Sequence, residues 1–171
     1  EQTKDVWTHL VDIRKSFEPR AEELAKKYAL APYTMFIGSG ALWGETILFS
    51  MCILEEMQWK RTRYITSADF FHGTLELVEP GVPVFLFMGE DENRKLDERV
   101  RAFLNRGVTG DTDINIIDTA EFAIPGLDDE FRVIVSPWIL SSLVTDRLAA
   151  YYETVTKHNL NYRRYYHQFD Y

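Results

Sequence analysis

The fold of this chain is decided by residues 33–46, which read YTMFIGSGALWGET. A short apolar run at residues 33–37 leads into a Gly-Ser-Gly turn, and this order is typical of a buried strand that ends at a tight turn. The proline-free segment 42–59 that follows is rich in Leu, Met and Glu and predicts a helix. A strand, a glycine turn and a helix in succession indicate the first unit of an α/β fold.

The same alternation of strands and helices continues on both sides of this unit. Apolar residues at helical spacing predict a helix over residues 5–28, which ends before Pro32. Further strands are predicted at residues 64–66, 82–88 and 113–118, and further helices at residues 91–105 and 136–157. This order favours a Rossmann-like, flavodoxin-like α/β fold, with a mostly parallel sheet covered by helices on both faces.

The chain is predicted to form one domain with an extension at each end. Residues 1–32 are the lead-in helix, residues 33–157 the α/β domain and residues 158–171 a C-terminal tail. A length of 171 residues, of which 46% are apolar, is enough to bury a core. Because the sequence begins at Glu1 without Met, we expect it to be a fragment of a longer protein.

Composition and charge limit the kinds of binding partner and the cellular compartment that we expect. A net charge of -8 would repel the phosphates of a nucleic acid, so no nucleic-acid partner is predicted. The single Cys52 has no intrachain partner for a disulfide and fits a reducing compartment, which predicts the cytoplasm. The sequence has no run of about 18 apolar residues and no signal-peptide pattern, so no membrane association is predicted.

Neither a metal nor a nucleotide cofactor is predicted. The four histidines are scattered and no cysteine cluster accompanies them, so no metal site is expected. The glycine turn lacks the third glycine of the Gly-x-Gly-x-x-Gly motif because position 43 is Trp, which argues against a nicotinamide cofactor. The backbone of Gly38, Ser39 and Gly40 is a candidate for binding an anion at the start of the helix, and a purely structural turn is the alternative.

The helix predicted after the glycine turn carries the candidate acids. At α-helical spacing, Glu45 and Glu56 share one stripe with Phe49 and Cys52. A carboxylate on such a stripe is expected to be partly buried, and burial raises a carboxyl pKa toward the range useful to a general base. These grounds do not separate Glu45, Glu55 and Glu56, and solvated surface charges are the alternative.

Two further segments carry side chains suited to proton transfer and anion binding. His72 is flanked by two aromatic residues and a glycine, where its pKa can fall near neutrality, although a capping or core histidine would have the same neighbours. Arg163, Arg164 and Tyr165 offer guanidinium forks for a phosphate or carboxylate and an aromatic wall for a sugar. The alternative is a tail that docks on its own domain or on a partner.

Three motifs together resemble one enzyme family. Residues 38–46 (GSGALWGET), 54–59 (LEEMQW) and 69–79 (DFFHGTLELVE) are similar to the second sugar isomerase (SIS) domain of the fructosamine-6-phosphate deglycases, and the tail at 163–166 is similar to theirs. The resemblance implies a SIS domain, the second of two in its parent protein, with the first absent from this sequence. In this family the Ser/Thr loops that grip the phosphate belong to the first domain, so this chain alone is expected to bind phosphosugars poorly.

The resemblance also indicates which of Glu45, Glu55 and Glu56 is the catalytic base. The isomerase half of glucosamine-6-phosphate synthase has a Lys-Glu pair on its first helix and then a Gly-Glu-x-x-His-Gly loop. Glu56 matches that glutamate and His72 that histidine, with Asp69 in the place of the loop's glutamate. The resemblance therefore implies Glu56 as the base that moves a proton between C1 and C2, and His72 as the acid that opens the sugar ring. Together with the candidates argued from the residues themselves, the predicted substrate-binding residues are Gly38, Ser39, Gly40, Asp69, Arg163, Arg164 and Tyr165.

The implied reaction is deglycation. A 6-phosphofructose adduct of an amino acid, aspartate or lysine, would react with water through a 1,2-enaminol to give glucose 6-phosphate and the free amino acid, without a cofactor. In SIS enzymes the histidine commonly reaches the glutamate's site from a neighbouring subunit, so a homodimer or larger assembly is implied. The alternatives are an aldose–ketose or amino-sugar phosphate isomerase, and a non-catalytic phosphosugar-sensing module.

Overall fold

A parallel sheet forms the centre of the computed structural model, which describes residues 5–107 and 110–170. Glu1, on which the expectation of a fragment rests, and Tyr171, the end of the predicted tail, lie outside the described residues. The sheet has four strands: β1 (Tyr33–Gly38), β2 (Arg61–Ile65), β3 (Val84–Met88) and β4 (Ile114–Asp118). Their order is β2-β1-β3-β4, and each neighbouring pair is parallel. The predicted α/β class is therefore confirmed.

Helices connect these strands and cover the sheet. They are α1 (Val6–Tyr28), α2 (Trp43–Ile47), α3 (Ser67–Phe70), α4 (Arg94–Leu104), α5 (Asp129–Leu140) and α6 (Ala149–Thr156). Two π-helical segments extend them: Leu48–Met57 continues α2, and Ser141–Leu148 joins α5 to α6. Short 3₁₀ turns lie at Gly40–Leu42, Thr74–Leu77 and Thr119–Glu121. The last long helix begins earlier than predicted, with Asp129 and Glu130 in its first turn, where the positive end of the helix dipole favours acidic residues.

Each face of the sheet buries its own apolar cluster. Successive strand residues point to opposite faces, so Phe36 joins one cluster and Met35 the other. The larger cluster lies under α1, the helix 43–57 and the helix 129–156. The smaller cluster lies under α3 and α4. Helices therefore cover both faces of the sheet, as predicted.

The helix 129–156 is long and apolar enough, by length and composition alone, to cross a membrane. Its Leu140, Leu143 and Leu148 are fully buried in the larger cluster. The helix packs along α1 through this face. The structure accordingly uses its apolar residues as part of the core.

Gly38, the last residue of β1, is packed against the helix that follows it. An added Cβ would lie 2.2 Å from the Thr46 hydroxyl oxygen. Thr46 is fully buried, and its hydroxyl donates to the Leu42 carbonyl at 2.8 Å. We expect Gly38→Ala to lower the free energy of unfolding by about 1–3 kcal/mol, because the buried Thr46 has little room to move. Urea unfolding at neutral pH measures the change.

Gly44 provides a matched control in the same segment. It is exposed on α2, and an added Cβ would meet nothing within 4 Å. Because alanine is a better helix former than glycine, we expect Gly44→Ala to raise the free energy of unfolding by about 0.5–1 kcal/mol. Equal effects of the two substitutions would contradict the close packing at Gly38.

Candidate functional site

Glu56 and the C-terminal tail line one cavity. Its volume is about 400 Å³, which falls within the roughly 300–1,000 Å³ typical of small-molecule sites. The lining residues are Glu55, Glu56, Trp59, Lys60, Arg163, Arg164, Tyr165 and Tyr166. The structure thus brings four of the predicted site residues together: Glu56, Arg163, Arg164 and Tyr165.

The end of the helix 43–57 shapes one wall of this cavity. Trp59 has a left-handed backbone with φ 54°, a conformation that costs a non-glycine residue roughly 1–2 kcal/mol. The turn is closed by the Lys60 N–H, which donates to the Leu54 carbonyl at 2.8 Å. This strained turn leaves the Trp59 indole in the cavity wall, where glycine would be the usual residue.

Glu56 is paired with the tail. Its carboxylate lies 2.9 Å from Arg163 Nε, and the two side chains are 34% and 19% exposed. Arg163 Nη1 donates to the main-chain carbonyls of Leu160 and Tyr162, at 2.7 and 2.9 Å. The guanidinium is therefore held in place from both sides.

The neighbouring Glu55 has a different partner. The Thr62 hydroxyl donates to its carboxylate at 2.5 Å, and the Ser50 hydroxyl donates to Thr62 at 2.8 Å. Glu55 is thus tied to the edge strand β2. Glu56 is the glutamate of this cavity that faces the tail.

The cavity has more cationic than anionic side chains. Arg164 lies over the Trp59 ring at 4.3 Å from its centre. Lys60 Nζ donates to the carbonyls of Ala29 and Ala31 at 2.7 and 2.6 Å, and burial lowers the Lys60 pKa. With Arg163, three cations face two glutamates, so the cavity suits an anionic ligand.

Glu45 lies away from the cavity. Burial raises the Glu45 pKa, and hydrogen bonds with Ser141 and Thr145 oppose that rise. The stripe predicted to join Glu45 to Glu56 is therefore wrong, because the segment 48–57 is π-helical and turns at a different angle per residue. Burial in the structure favours Glu45 as a base, whereas position in the cavity favours Glu56.

His72 lines a second cavity. This cavity measures about 420 Å³ and is lined by Arg63, Ile65, Asp69, His72, Gly73, Thr74 and Leu77. The His72 side chain is exposed. Asp69 caps α3 reciprocally with Thr66: its N–H donates to the Thr66 hydroxyl at 3.0 Å, and that hydroxyl donates back to its carboxylate at 2.7 Å. Within one chain, the predicted acid and base thus line separate cavities.

The glycine turn lies at neither cavity. Ser39 is buried, and its hydroxyl accepts from the Ser67 N–H at 2.7 Å. Beyond it, the Ala41 N–H donates to the Asp91 carboxylate at 2.6 Å. An added Cβ at Gly40 would lie 2.2 Å from that carboxylate. The protein's own Asp91 therefore occupies the place where an anion was expected, and substrate binding by Gly38, Ser39 and Gly40 stays a prediction.

Sequence reasoning missed several residues of the first cavity. Trp59 and Lys60 follow the motif glutamates after two intervening residues, but nothing in their residue types indicates a left-handed turn at Trp59. Tyr166 adjoins the predicted tail residues. Among residues 5–107 and 110–170, no group of three or more His, Cys, Asp or Glu side chains is placed to hold a metal ion.

Two curated deglycases are similar to this chain in sequence. Over 148 residues it is 30% identical to the fructosamine deglycase of Bacillus subtilis (strain 168), covering 85% of this chain and 43% of that protein. Over 169 residues it is 30% identical to the fructoselysine 6-phosphate deglycase of Escherichia coli (strain K12), covering 97% and 45%. The chain thus spans less than half the length of these relatives. No protein-family model matches it.

Solved structures share the fold. A Bacillus subtilis protein named as a phosphosugar isomerase superimposes with a TM-score of 0.91 at 26% identity, covering 100% of this chain and 51% of that chain. A Salmonella typhimurium LT2 protein of the same description gives a TM-score of 0.89 at 26% identity, covering 99% and 51%. The predicted SIS fold and the resemblance to fructosamine-6-phosphate deglycases are confirmed.

Proposed function

We propose that this SIS-fold chain forms the C-terminal half of a fructosamine-6-phosphate deglycase. The enzyme would convert a 6-phosphofructose adduct of an amino acid, aspartate or lysine, and water to glucose 6-phosphate and the free amino acid. The observation that supports this most is the position of Glu56, the glutamate matched by the motif comparison, in a cavity rich in cations. The similarity to curated deglycases supports this reaction class.

The chemistry needs proton transfers and the addition of one water molecule, which replaces the amine at C1. His72 assists opening of the furanose ring, and Glu56 takes a proton from C1 to give a 1,2-enaminol. Protonation at C2 leaves a C1=N imine, which water hydrolyses to the aldehyde and the amine. Each positioned proton transfer contributes about 10²–10⁴-fold to the rate. The carbonyl and the imine serve as the electron sinks, so the proposed steps use no cofactor.

We further propose that the working site is shared between two copies of the chain. Glu56 and His72 line separate cavities in one copy, and their proposed roles concern adjacent atoms of one substrate. A homodimer in which His72 of the second copy reaches the Glu56 cavity would join them. The relatives are more than twice as long as the matched region, which leaves room for a first SIS domain to supply the phosphate grip. We also propose that the reaction takes place in the cytoplasm, a reducing compartment that would keep Cys52 as a free thiol.

A product assay tests the proposal. We expect the protein, expressed from its complete reading frame, to release glucose 6-phosphate from fructose-aspartate 6-phosphate or fructose-lysine 6-phosphate. A coupled dehydrogenase follows the glucose 6-phosphate, and free amino acid is measured in parallel. Equal amounts of the two products are expected for hydrolysis of an imine. Interconversion of free sugar phosphates without amine release would favour an isomerase, and hexose-phosphate binding without turnover would favour a sensor.

A further inference from the structure

We propose that Arg163 determines which amino acid adducts this site accepts, by binding the carboxylate that lies next to the reacting C1 atom. In this arrangement its Nε stays on Glu56, and another edge of the same guanidinium holds the substrate carboxylate. Arg163 would then position both the base, Glu56, and the part of the substrate in which the C–N bond is broken. The inference rests on the proposed function, and it adds the linkage of the amino acid to the sugar.

The guanidinium is built to receive a second anion. Its Nε forms an ion pair with Glu56 at 2.9 Å, and Nη1 donates to the Leu160 and Tyr162 carbonyls. In the described part of the chain, Nη2 has no hydrogen-bond partner. Because Arg163 is only 19% exposed, a charge-assisted bond at Nη2 is less weakened by water than one on the surface.

The position of this edge beside Glu56 selects a carboxylate over a phosphate. The nitrogens of one planar guanidinium hold their ligands only a few ångströms apart. In an adduct formed through the α-amine, only the amine nitrogen and the α-carbon separate C1 from the carboxyl carbon. The phosphorus lies at the far end of the sugar chain. When Glu56 faces C1, the anion within reach of the same guanidinium is therefore the α-carboxylate.

This geometry predicts a preference for one linkage. An amino acid joined through its α-amine places its carboxylate at Arg163, whereas lysine joined through its ε-amine places its carboxylate a whole side chain away. Arg164 does not offer the same selection, since its guanidinium lies over the Trp59 ring and not against Glu56. The site should thus favour α-linked adducts.

Two isomeric substrates test the inference. The 6-phosphofructose adducts of lysine through the α-amine and through the ε-amine have the same mass and the same groups. We expect kcat/KM to favour the α-linked isomer by about 10–100-fold, the value of one hydrogen-bonded charge pair. Arg163→Lys keeps the positive charge but loses the planar guanidinium that can hold two carboxylates at once. It should therefore remove most of this preference, through a higher KM for the α-linked isomer alone.

Arg99→Lys is the matched control. Arg99 is an exposed arginine on α4 that lies over the Phe71 ring at 4.0 Å, away from the Glu56 cavity. The preference should persist in this variant. Inhibition by glucose 6-phosphate, which has a phosphate and no carboxylate, should be the same in the wild type and in Arg163→Lys. A loss of that inhibition would assign Arg163 to the phosphate and overturn the inference.

The remaining outcomes separate the two proposals. Equal turnover of both isomers by the wild type, or an unchanged preference in Arg163→Lys, overturns the role of Arg163 and leaves the deglycase reaction standing. Absence of product from both isomers overturns the proposed function itself. Circular dichroism establishes that Arg163→Lys is folded; if it is not, Arg163→Gln is measured in its place, with the same loss of preference expected and an unchanged preference overturning the role.

Discussion

Glu56→Gln is expected to lower kcat for glucose 6-phosphate release by about 10²–10⁴-fold, the contribution of one positioned proton transfer. Glutamine keeps the shape of the side chain and an acceptor for Arg163 Nε, but it does not take up a proton from C1. Substrate binding should change much less than turnover. The measurement is the initial rate of product formation over a range of substrate concentrations.

Glu45→Gln is the control for this change. Glu45 is on the same helix and burial raises its pKa, so burial alone would make it the rival base. It does not line the cavity, and its carboxylate lies 3.5 Å from the Thr145 hydroxyl. We expect Glu45→Gln to retain wild-type kcat. A large loss in Glu45→Gln together with an active Glu56→Gln would reverse the assignment.

Mixing two inactive variants tests the shared site. We expect His72→Asn to be inactive as well, because ring opening loses its acid. In a random mixture of Glu56→Gln and His72→Asn chains, half of the dimers carry one chain of each kind, and one of their two sites then has both native groups. Activity should return to about a quarter of the wild-type value. No recovery in a mixture shown to contain mixed dimers would place both groups of a site in one chain.

Asp97 is expected to make the stability of the protein fall as the pH rises from about 4 to about 6. Its side chain is buried, with 1% of the residue exposed. The Ser67 hydroxyl donates to one carboxylate oxygen at 2.5 Å, and the Gly89 N–H donates to the other at 3.3 Å. Burial raises the Asp97 pKa from 3.8 to about 6, and Asp91 adds to this rise, while the two hydrogen bonds and Arg94 oppose it.

The sign follows from the protons bound in each state. Between the two pKa values the folded chain holds the Asp97 proton and the unfolded chain has lost it, so raising the pH favours unfolding. A pKa shift of this size changes the free energy of unfolding by about 3 kcal/mol at most. The full loss of stability is reached once the pH is above the pKa of Asp97 in the folded state. Below the pKa of Asp97 in the unfolded chain, both states hold the proton and the folded protein keeps its full stability.

Asp97→Asn removes this titration. We subtract the free energy of unfolding of the wild type from that of Asp97→Asn. This difference should increase by up to about 3 kcal/mol from pH 4 to pH 8, because only the wild type loses stability over that range. Urea unfolding at several pH values within that range measures the difference. Parallel curves for the two proteins would mean that Asp97 titrates normally when folded.

Asp118→Asn is the control of opposite sign. Burial alone would raise the Asp118 pKa, but hydrogen bonds from Arg94 and from the Ala120 N–H outweigh it and lower that pKa. Its carboxylate lies 2.6 Å from Arg94 Nη2. The stability it contributes is present above the unfolded pKa and is lost as the pH falls through the folded pKa. Asp118→Asn should therefore destabilise the protein evenly from pH 5 to pH 8.

The order of the elements could be predicted from the sequence because each is marked locally. The apolar run before Gly38 and the helical spacing of α1 need no distant partner to be recognised. Element ends were less predictable. The strand predicted at residues 64–66 is Arg61–Ile65, since pairing with β1 at the sheet edge, and not apolar content, extends it. Trp7 shows the same limit: it is an apolar residue of α1, but it is 65% exposed.

The sequence by itself determined the α/β class, the SIS resemblance and the choice of Glu56 and His72, because motif residues and periodicity are properties of neighbours along the chain. Only the tertiary structure decided which of these residues meet. It brings Arg163 to Glu56, and it leaves His72 at another cavity. At the turn after β1, the Asp91 carboxylate accepts the hydrogen bond that a bound anion was expected to accept. The physical reason is that such contacts join residues far apart in sequence, and they depend on the π-helical path of residues 48–57 and on the docking of the tail.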